Sequence, residues 1–184
     1  MGKRILVLID CQKDFIDGSL ANPEAQKKVD NIIKKIDEFD GDAIIYTLDS
    51  HDKDYLETKE GKALPVVHCV EGSDGWNLNE GISDAIDRAI KREMTVDAIY
   101  KPTFGTFDLP VRIKEFVGDN EFDVEIVGFC TDICVISNAL ILKAAAYAIA
   151  NITVDASCCA GVTIEKHNAA LEIMKSCQIN VINE

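Results

Sequence analysis

An aspartate, a lysine and a cysteine stand at three distant points of the 184-residue chain, each just past an apolar run. A thiol attacks as its thiolate, and a helix N-terminus together with a nearby cation lowers its pKa. Cys134 is therefore a candidate nucleophile, with Lys101 as the cation and Asp10 as the general base that takes the thiol proton and returns it to a leaving group. Backbone N–H groups in the same turn are candidates to hold the developing oxyanion. The alternative for Cys134 is a buried helix cysteine that faces the core.

The elements that must position these side chains follow an alternating pattern. Apolar runs that predict strands lie at residues 4–9, 43–47, 96–100, 124–127, 152–154 and, more weakly, 179–182. Segments with helical spacing lie between them, at residues 23–39, 82–90, 109–116, 132–149 and 163–177. Runs that are apolar on both faces suit central parallel strands, so the pattern predicts a single-domain open α/β sheet, residues 1–184, covered by helices on both faces. Ligands bind at the carboxyl edge of such sheets, where all three candidate residues fall.

Residues 49–80 form an unusually long connection between the second strand and the next helix. Connections of this length in compact domains are often functional. Asp49 and His51 stand two positions apart at its start, and His68 follows 17 residues after His51. Glu60 lies between the two histidines. Carboxylate and imidazole groups together suit zinc, iron or manganese. Spacing alone also allows ordinary loop histidines, so both interpretations stay open.

Composition limits the partners. Lys and Arg number 19 against 32 Asp and Glu, a formal charge of −13, which argues against nucleic-acid binding. No apolar run approaches the roughly 18 to 20 residues of a membrane span. The N-terminus lacks a small-residue cleavage site, and the seven cysteines show no regular spacing, so a cytoplasmic protein with reduced thiols is expected. The apolar stretch at residues 139–149 favours a homo-oligomer, although burial within the monomer explains it nearly as well.

Three segments carry a family resemblance. They are LVLIDCQKDF at residues 6–15, KPTFGTF at 101–107 and GFCTDICV at 128–135. In this order they resemble the isochorismatase-like cysteine hydrolases, which include nicotinamidases. The resemblance implies a Rossmann-like sheet of about six parallel strands and a catalytic triad of Asp10, Lys101 and Cys134. It also implies a cis peptide between Phe129 and Cys130, which turns the amides of Cys130 and Cys134 toward the oxyanion.

The same resemblance extends to the long connection. Asp49, His51 and His68 are similar to the metal-binding segments of nicotinamidases, and Glu60, with Glu57 as the second choice, is the expected additional ligand. The implied cofactor is a divalent metal, zinc first, with iron or manganese as alternatives. In the family such a metal can hold the pyridine nitrogen and orient the amide. Tyr55 stands near the place where other nicotinamidases carry another histidine.

Aromatic side chains are candidates for contacts with a flat substrate ring. Phe15, Phe104 and Phe107 are expected to line the site, with core packing as the alternative for each. Nicotinamidases usually carry an aromatic residue shortly before the last histidine, whereas residues 64–67 here contain none. The orientation of Trp76 is not determined by the sequence.

These observations predict a hydrolase that cleaves the C–N bond of a small amide through a thioester on Cys134. Nicotinamide, giving nicotinate and ammonia, is the leading substrate. The alternatives are a related amidase for a carbamoyl, ureido or other small amide, an isochorismatase-type hydrolase, and a metal-binding module without catalysis. Asp14 is expected to be a solvated loop acid and His167 a residue of the helix surface or its capping region.

Overall fold

The computed structural model describes residues 2–146 and 149–184, and its centre is a parallel sheet. The strands are β1 (Lys3–Ile9), β2 (Ala43–Asp49), β3 (Thr95–Lys101), β4 (Phe122–Phe129), β5 (Ala150–Ala160) and β6 (Asn180–Ile182). Their order is β3-β2-β1-β4-β5-β6, and all neighbouring pairs are parallel. The predicted fold class is confirmed, because all six apolar runs form strands of this sheet.

Helices connect the strands. They are α1 (Lys13–Ile16), α2 (Pro23–Gln26), α3 (Val29–Glu38), α4 (Lys59–Ala63), α5 (Glu80–Lys91), α6 (Asp108–Val117), α7 (Ile136–Ala145) and α8 (Ile164–Ser176). The prediction of one helix over residues 23–39 is wrong. Asn22 caps α2 and also donates a hydrogen bond to the Gly161 carbonyl, which anchors α2 beside the end of β5, while α3 packs separately against the sheet and α5.

Two apolar layers cover the sheet. The first packs α6, α7 and α8 against one face and includes Val7, Ile126 and Leu142. The second packs α3 and α5 against the opposite face and includes Leu8 and Ile32. Alternate residues of the central strands enter opposite layers, so a strand such as β1 must be apolar on both faces.

The carboxyl edge of the sheet depends on a close approach between β1 and β4. Gly128 pairs with Ile9, and a β carbon at Gly128 would lie 2.1 Å from the Ile9 carbonyl oxygen. Gly128 also has a φ of 122°, a conformation that L side chains rarely adopt. Glycine at this position therefore allows the end of β4 to lie directly beside Asp10.

The long connection at residues 49–80 contains structure of its own, namely a 3₁₀ turn at Tyr55–Glu57 followed by α4. The predicted helix at residues 132–149 instead begins as a π-helical turn, Thr131–Val135, and continues as α7. Tyr147 and Ala148, which belonged to that prediction, lie outside the described residues. Within the described ranges, we find no helix with the length and apolar character of a membrane span.

Candidate active site

The three residues at the strand ends meet in the interior of the carboxyl edge. Lys101 Nζ lies 2.6 Å from Asp10 Oδ2 and 3.7 Å from Cys134 Sγ. Asp10 and Lys101 are completely buried, and Cys134 is 5% exposed. The structure therefore brings together an acid, an amine and a thiol from the ends of β1 and β3 and the turn after β4.

Thr47 fixes the carboxylate of Asp10. The Thr47 hydroxyl donates to Asp10 Oδ1 at 2.6 Å, and the Asp10 N–H donates to the same hydroxyl oxygen at 3.1 Å. Within the described residues, Asp10 Oδ2 is the only buried side-chain oxygen or nitrogen atom that lacks a well-aligned hydrogen bond. The Lys101 ammonium nevertheless lies close to it. A carboxylate oxygen with a free lone pair beside a thiol is placed to accept the thiol proton.

The charges of these groups follow from burial and mutual contact. Burial raises the pKa of the Cys134 thiol, Asp10 raises it further, and Lys101 only partly opposes both. This result differs from the sequence-based expectation of a lowered thiol pKa, because burial outweighs the cation. Burial also raises the pKa of Asp10, which makes the carboxylate a stronger base. Burial lowers the pKa of Lys101, but Asp10, Cys134 and Asp49 outweigh it and raise that pKa, so the amine stays protonated.

The turn that carries Cys134 is unusual in its backbone. The peptide bond between Phe129 and Cys130 is cis, and the Val135 N–H donates to the Cys130 carbonyl at 3.1 Å, five residues back. Cys130 and Cys134 both line the same cavity. Cys130 is partly buried, and burial raises the pKa of its thiol to about 12.

Asn138 connects this turn to the segment after β3. It is completely buried, and its amide group donates to the carbonyls of Cys134 at 2.8 Å and Phe104 at 3.1 Å. Its side-chain oxygen accepts from the Thr106 N–H at 3.1 Å. Sequence reasoning missed this residue, although a single asparagine within the apolar stretch of α7 was a usable signal.

Four side chains of the long connection form a compact group next to Asp10, Lys101 and Cys134. Asp49, His51, Glu60 and His68 each offer one ligand atom, and these atoms all lie within 4.8 Å of one another. We call them the four-ligand group. Glu57, the second choice for a ligand, is exposed and lies outside it. Asp49 belongs to both assemblies, because its Oδ2 lies 3.0 Å from His51 Nε2 while its Oδ1 lies 3.4 Å from Lys101 Nζ.

The donor set fits a divalent cation. His68 Nδ1 lies 2.8 Å from the Val66 carbonyl, and donation to that carbonyl leaves Nε2 free as a ligand atom facing Asp49. Burial and Asp49 raise the pKa of Glu60, as expected where two carboxylates crowd together. Two imidazoles and two carboxylates in a partly buried group match the preferences of zinc, iron and manganese.

Tyr55 packs beside the group rather than completing it. Its ring centroid lies 4.6 Å from that of His51 and 4.9 Å from that of His68. Its hydroxyl donates to the Leu64 carbonyl at 3.0 Å. Tyr55 therefore packs against both histidines, and its hydrogen bond fixes the end of α4.

A cavity of about 700 Å³ opens onto both assemblies. Its lining includes Cys134, Cys130, Glu60, His68, Phe15, Phe104 and Leu64. Phe15 is almost buried and packs edge-on against His68, with 5.7 Å between the ring centroids, while Phe104 is half-exposed. The lining of the cavity thus combines the polar side chains of Cys134, Glu60 and His68 with apolar surface from Phe15, Phe104 and Leu64.

Two aromatic residues lie elsewhere. Phe107 is 80% exposed and is not among the residues that line the cavity, because Gly105 and Thr106 pack against α7 and direct the chain outward into α6. Trp76 stacks on Tyr100 with ring centroids 5.8 Å apart, at the outer edge of the sheet. The structure therefore assigns neither Phe107 nor Trp76 to the substrate cavity.

Asp14 is a buried structural residue, so the expectation of a solvated acid is wrong. Its carboxylate accepts the N–H of Cys69 at 2.7 Å and the N–H of Ser19 at 2.9 Å. These bonds fix the backbone beside His68 and one wall of the cavity. His167 lies in the first turns of α8, where its Nδ1 is 2.8 Å from the Thr131 hydroxyl and so supports the turn that carries Cys134.

Comparison with known proteins identifies the family. A family model described as "Isochorismatase domain" matches residues 4–184. The chain belongs to the isochorismatase domain family. A Bacillus subtilis (strain 168) protein described as "Uncharacterized isochorismatase family protein PncA" is 28% identical over 147 residues, which cover 75% of this chain and 77% of that protein.

Solved structures show the same architecture. The nicotinamidase/pyrazinamidase PncA from Bacillus subtilis aligns with a TM-score of 0.83 at 26% identity, covering 98% of this chain and 100% of that one. The pyrazinamidase/nicotinamidase from Streptococcus mutans UA159 aligns with a TM-score of 0.79 at 28% identity, covering 97% and 99%. The predicted amidohydrolase class of this isochorismatase-family chain is thereby confirmed.

Proposed function

We propose that the protein hydrolyses a small carboxamide, with nicotinamide as the leading substrate, to the carboxylate and ammonia through a thioester on Cys134. The observation that carries this proposal is that Asp10 and Lys101 meet Cys134, which lines the cavity, beside the four-ligand group. The similarity to solved nicotinamidases supports the same reaction class.

The first half of the reaction forms the thioester. Cys134 Sγ attacks the carbonyl carbon while Asp10 accepts the thiol proton, which fits a thiol whose pKa is raised in the resting protein. Amides of the Cys130–Cys134 turn hold the oxyanion. The tetrahedral intermediate collapses, the C–N bond breaks, and Asp10 returns the proton to the departing ammonia.

The second half restores the enzyme. Asp10 accepts a proton from water as the water oxygen attacks the thioester carbonyl. The C–S bond then breaks, Asp10 gives that proton to Cys134 Sγ, and the carboxylic acid product loses its remaining proton to solvent and leaves as the carboxylate. Lys101 stays protonated throughout and balances the negative charge that moves between Asp10 and Cys134. Its hydrogen bond to the Thr103 carbonyl, 3.0 Å long, keeps the ammonium between them.

Asp49, His51, Glu60 and His68 are the residues that would hold a divalent metal, with zinc as the first choice. When bound, such a metal supplies a Lewis-acidic position for a ring nitrogen and so orients a pyridine amide. Phe15 and Phe104 line the cavity and provide apolar surface for the ring. The residues therefore favour an aromatic amide with a ring nitrogen.

The covalent mechanism is tested by Cys134→Ala. Ammonia release from nicotinamide is expected to fall by at least about 10⁴-fold, since removal of a nucleophile eliminates the covalent route. Cys177→Ala, which alters an exposed cysteine, is the matched control and retains wild-type activity. Wild-type turnover by the Cys134 variant would refute the thioester.

A second candidate is a related amidase for a larger or non-pyridine amide. The observation that favours it is Leu64, which lines the cavity in a stretch without an aromatic residue, together with a volume in the range of drug-sized pockets. A panel of pyridine, carbamoyl and ureido amides, assayed with metal-stripped and zinc-reconstituted protein, distinguishes the two. Turnover of non-pyridine amides that is insensitive to metal would support the second candidate.

A further inference from the structure

Asp49 links the two halves of the site. Its carboxylate lies 3.0 Å from His51 Nε2, 3.5 Å from His68 Nε2 and 3.4 Å from Lys101 Nζ. A small rotation or shift of Asp49 would therefore disturb the four-ligand group and the balance of charge around Lys101 together. Contacts that hold the backbone of Asp49 in place therefore support both halves.

The sheet itself supports Asp49 on one side only. In β2, Asp49 is in register with Lys101 of β3. On the other side, β1 pairs with β2 only as far as Leu8 and Tyr46, and the chain then turns away at Asp10, which has a φ of 48°. The backbone N–H and carbonyl of Asp49 that face β1 thus lie beyond the last strand pair.

The side chain of Gln12 takes the place of the missing strand. The Asp49 N–H donates to Gln12 Oε1 at 2.8 Å, and Gln12 Nε2 donates to the Asp49 carbonyl at 2.9 Å. The second hydrogen of Nε2 bonds to the Trp76 carbonyl at 2.8 Å. A carboxamide has the same donor and acceptor as a peptide group, so at Asp49 the Gln12 side chain replaces the backbone hydrogen bonds that a longer β1 would make.

Because Gln12 is buried, its replacement must provide the same hydrogen bonds without help from water. Gln12 is completely buried, and all of its polar hydrogens have partners in one orientation of the amide. A glutamate in its place would direct a carboxylate oxygen at two carbonyl oxygens, and an apolar residue would leave the Asp49 peptide groups without partners. Neither replacement can reproduce the pair of bonds.

We propose that Gln12 is a positioning residue that fixes Asp49 and, through it, both the four-ligand group and Lys101. This inference rests on the proposed function in that Asp49 is taken as a metal ligand. Gln12 is not among the residues that line the cavity, so its effect on the site is expected to pass through its hydrogen bonds to the backbone of Asp49.

The test is the zinc affinity of Gln12→Met and Gln12→Glu, measured by competition with a chromophoric chelator. Both variants are expected to bind zinc at least about 10-fold more weakly than the wild type, the usual cost of removing a partner that orients a ligand. Gln26→Glu is the matched control, because Gln26 also donates to a backbone carbonyl, that of Ile16, but from an exposed position of α2. Its zinc affinity is expected to equal that of the wild type.

The outcomes separate the two claims. Folded Gln12 variants with wild-type zinc affinity overturn this inference and leave the proposed function intact. A wild-type protein that binds no zinc overturns the metal part of the proposed function and this inference with it. Where neither variant folds, amide hydrogen exchange of the wild type decides, because the Asp49 N–H is expected to exchange slowly, and exchange as fast as that of an exposed loop overturns the inference.

Discussion

Lys101 is the residue on which the charge balance of the site depends. Its ammonium is completely buried and lies within 3.4 Å of a carboxylate oxygen of both Asp10 and Asp49. Removal of one member of a buried ion pair leaves the other charge without compensation, whereas removal of both members can be nearly neutral. Here one cation compensates two acids, so its loss is expected to affect both folding and chemistry.

Lys101→Met is therefore expected to lower the free energy of unfolding by about 3 to 5 kcal/mol. Amide turnover should fall by at least about 100-fold, because the negative charge that moves between Asp10 and Cys134 loses its counter-ion. Urea unfolding followed by circular dichroism and an ammonia-release assay measure the two effects.

A double variant serves as the control. Lys101→Met combined with Asp49→Asn removes one uncompensated charge and should regain part of the stability without regaining activity. A Lys101→Met protein as stable as the wild type would show that the ion pair has no structural role.

Residue types and their order were sufficient to predict that Asp10, Lys101 and Cys134 lie together, because Asp10 and Lys101 directly follow apolar runs and parallel strands end at one edge. The protonation states of these side chains were not predictable from residue types and their order. The pKa of the Cys134 thiol depends on how completely the turn is buried, which the sequence does not specify. Asp14 illustrates the same limit, because its partners, the amides of Ser19 and Cys69, belong to segments whose placement requires the folded chain.

At the scale of elements, Lys35 joins α3 to the sheet through ion pairs with Glu125 of β4 and Asp155 of β5. Lys35 Nζ of α3 lies 2.8 Å from Asp155 Oδ2 of β5, and the Asp155 side chain is only 1% exposed. Burial raises the pKa of Asp155, but hydrogen bonds from Lys35, Ser157 and Asn183 outweigh it and lower that pKa below its usual value. The ionised carboxylate is therefore favoured in the folded protein.

The ionised carboxylate of Asp155 is expected to make the free energy of unfolding depend on pH. A carboxyl group whose pKa is lowered by folding stabilises the protein above its unfolded pKa, near 4, and loses that contribution as the pH falls through the folded pKa. Asp155→Asn is expected to lower the free energy of unfolding by about 1 to 3 kcal/mol at pH 7. The difference between variant and wild type should shrink below about pH 4.

Denaturant unfolding at a series of pH values measures this difference. Asp87→Asn, at an exposed position of α5, is the matched control and should differ little from the wild type at any pH. A destabilisation by Asp155→Asn that stays constant down to low pH would exclude the ionised carboxylate as its cause.

Hydrophobic periodicity predicted the strands but not every helix boundary. The strands were predicted because buried parallel strands are apolar on both faces, and the structure extends several of them by one or two residues. The split between α2 and α3 was not predictable, because the helical spacing continues across it and the break depends on a distant contact from Asn22 to Gly161. Phe107 was misjudged for a similar reason, since the bond from Thr106 to Asn138 directs it outward.

At the scale of the whole molecule, metal binding and stability are expected to be coupled. A ligand that binds only the folded state at 100 times its dissociation constant adds about 2.7 kcal/mol, which corresponds to a rise in Tm of about 5 to 10 °C for a domain of this size. Zinc is therefore expected to raise the Tm of the chelator-treated protein by this amount in differential scanning calorimetry.

Two histidine variants test the origin of the rise. His68→Ala removes a member of the four-ligand group and should abolish the shift, whereas His167→Ala, outside the group, should retain it. An equal shift in both variants would place the bound zinc at another site. The predicted homo-oligomer and cytoplasmic location stay predictions at this scale.

The chain contains a single tryptophan, and its position has a practical consequence. The indole N–H of Trp76 donates to the Ser50 hydroxyl at 2.8 Å, next to Asp49, and the ring lies flat against Tyr100. Intrinsic fluorescence of this tryptophan therefore originates beside Ser50, which directly follows the proposed metal ligand Asp49. The emission of the unlabelled protein reports directly on that neighbourhood, without an engineered dye.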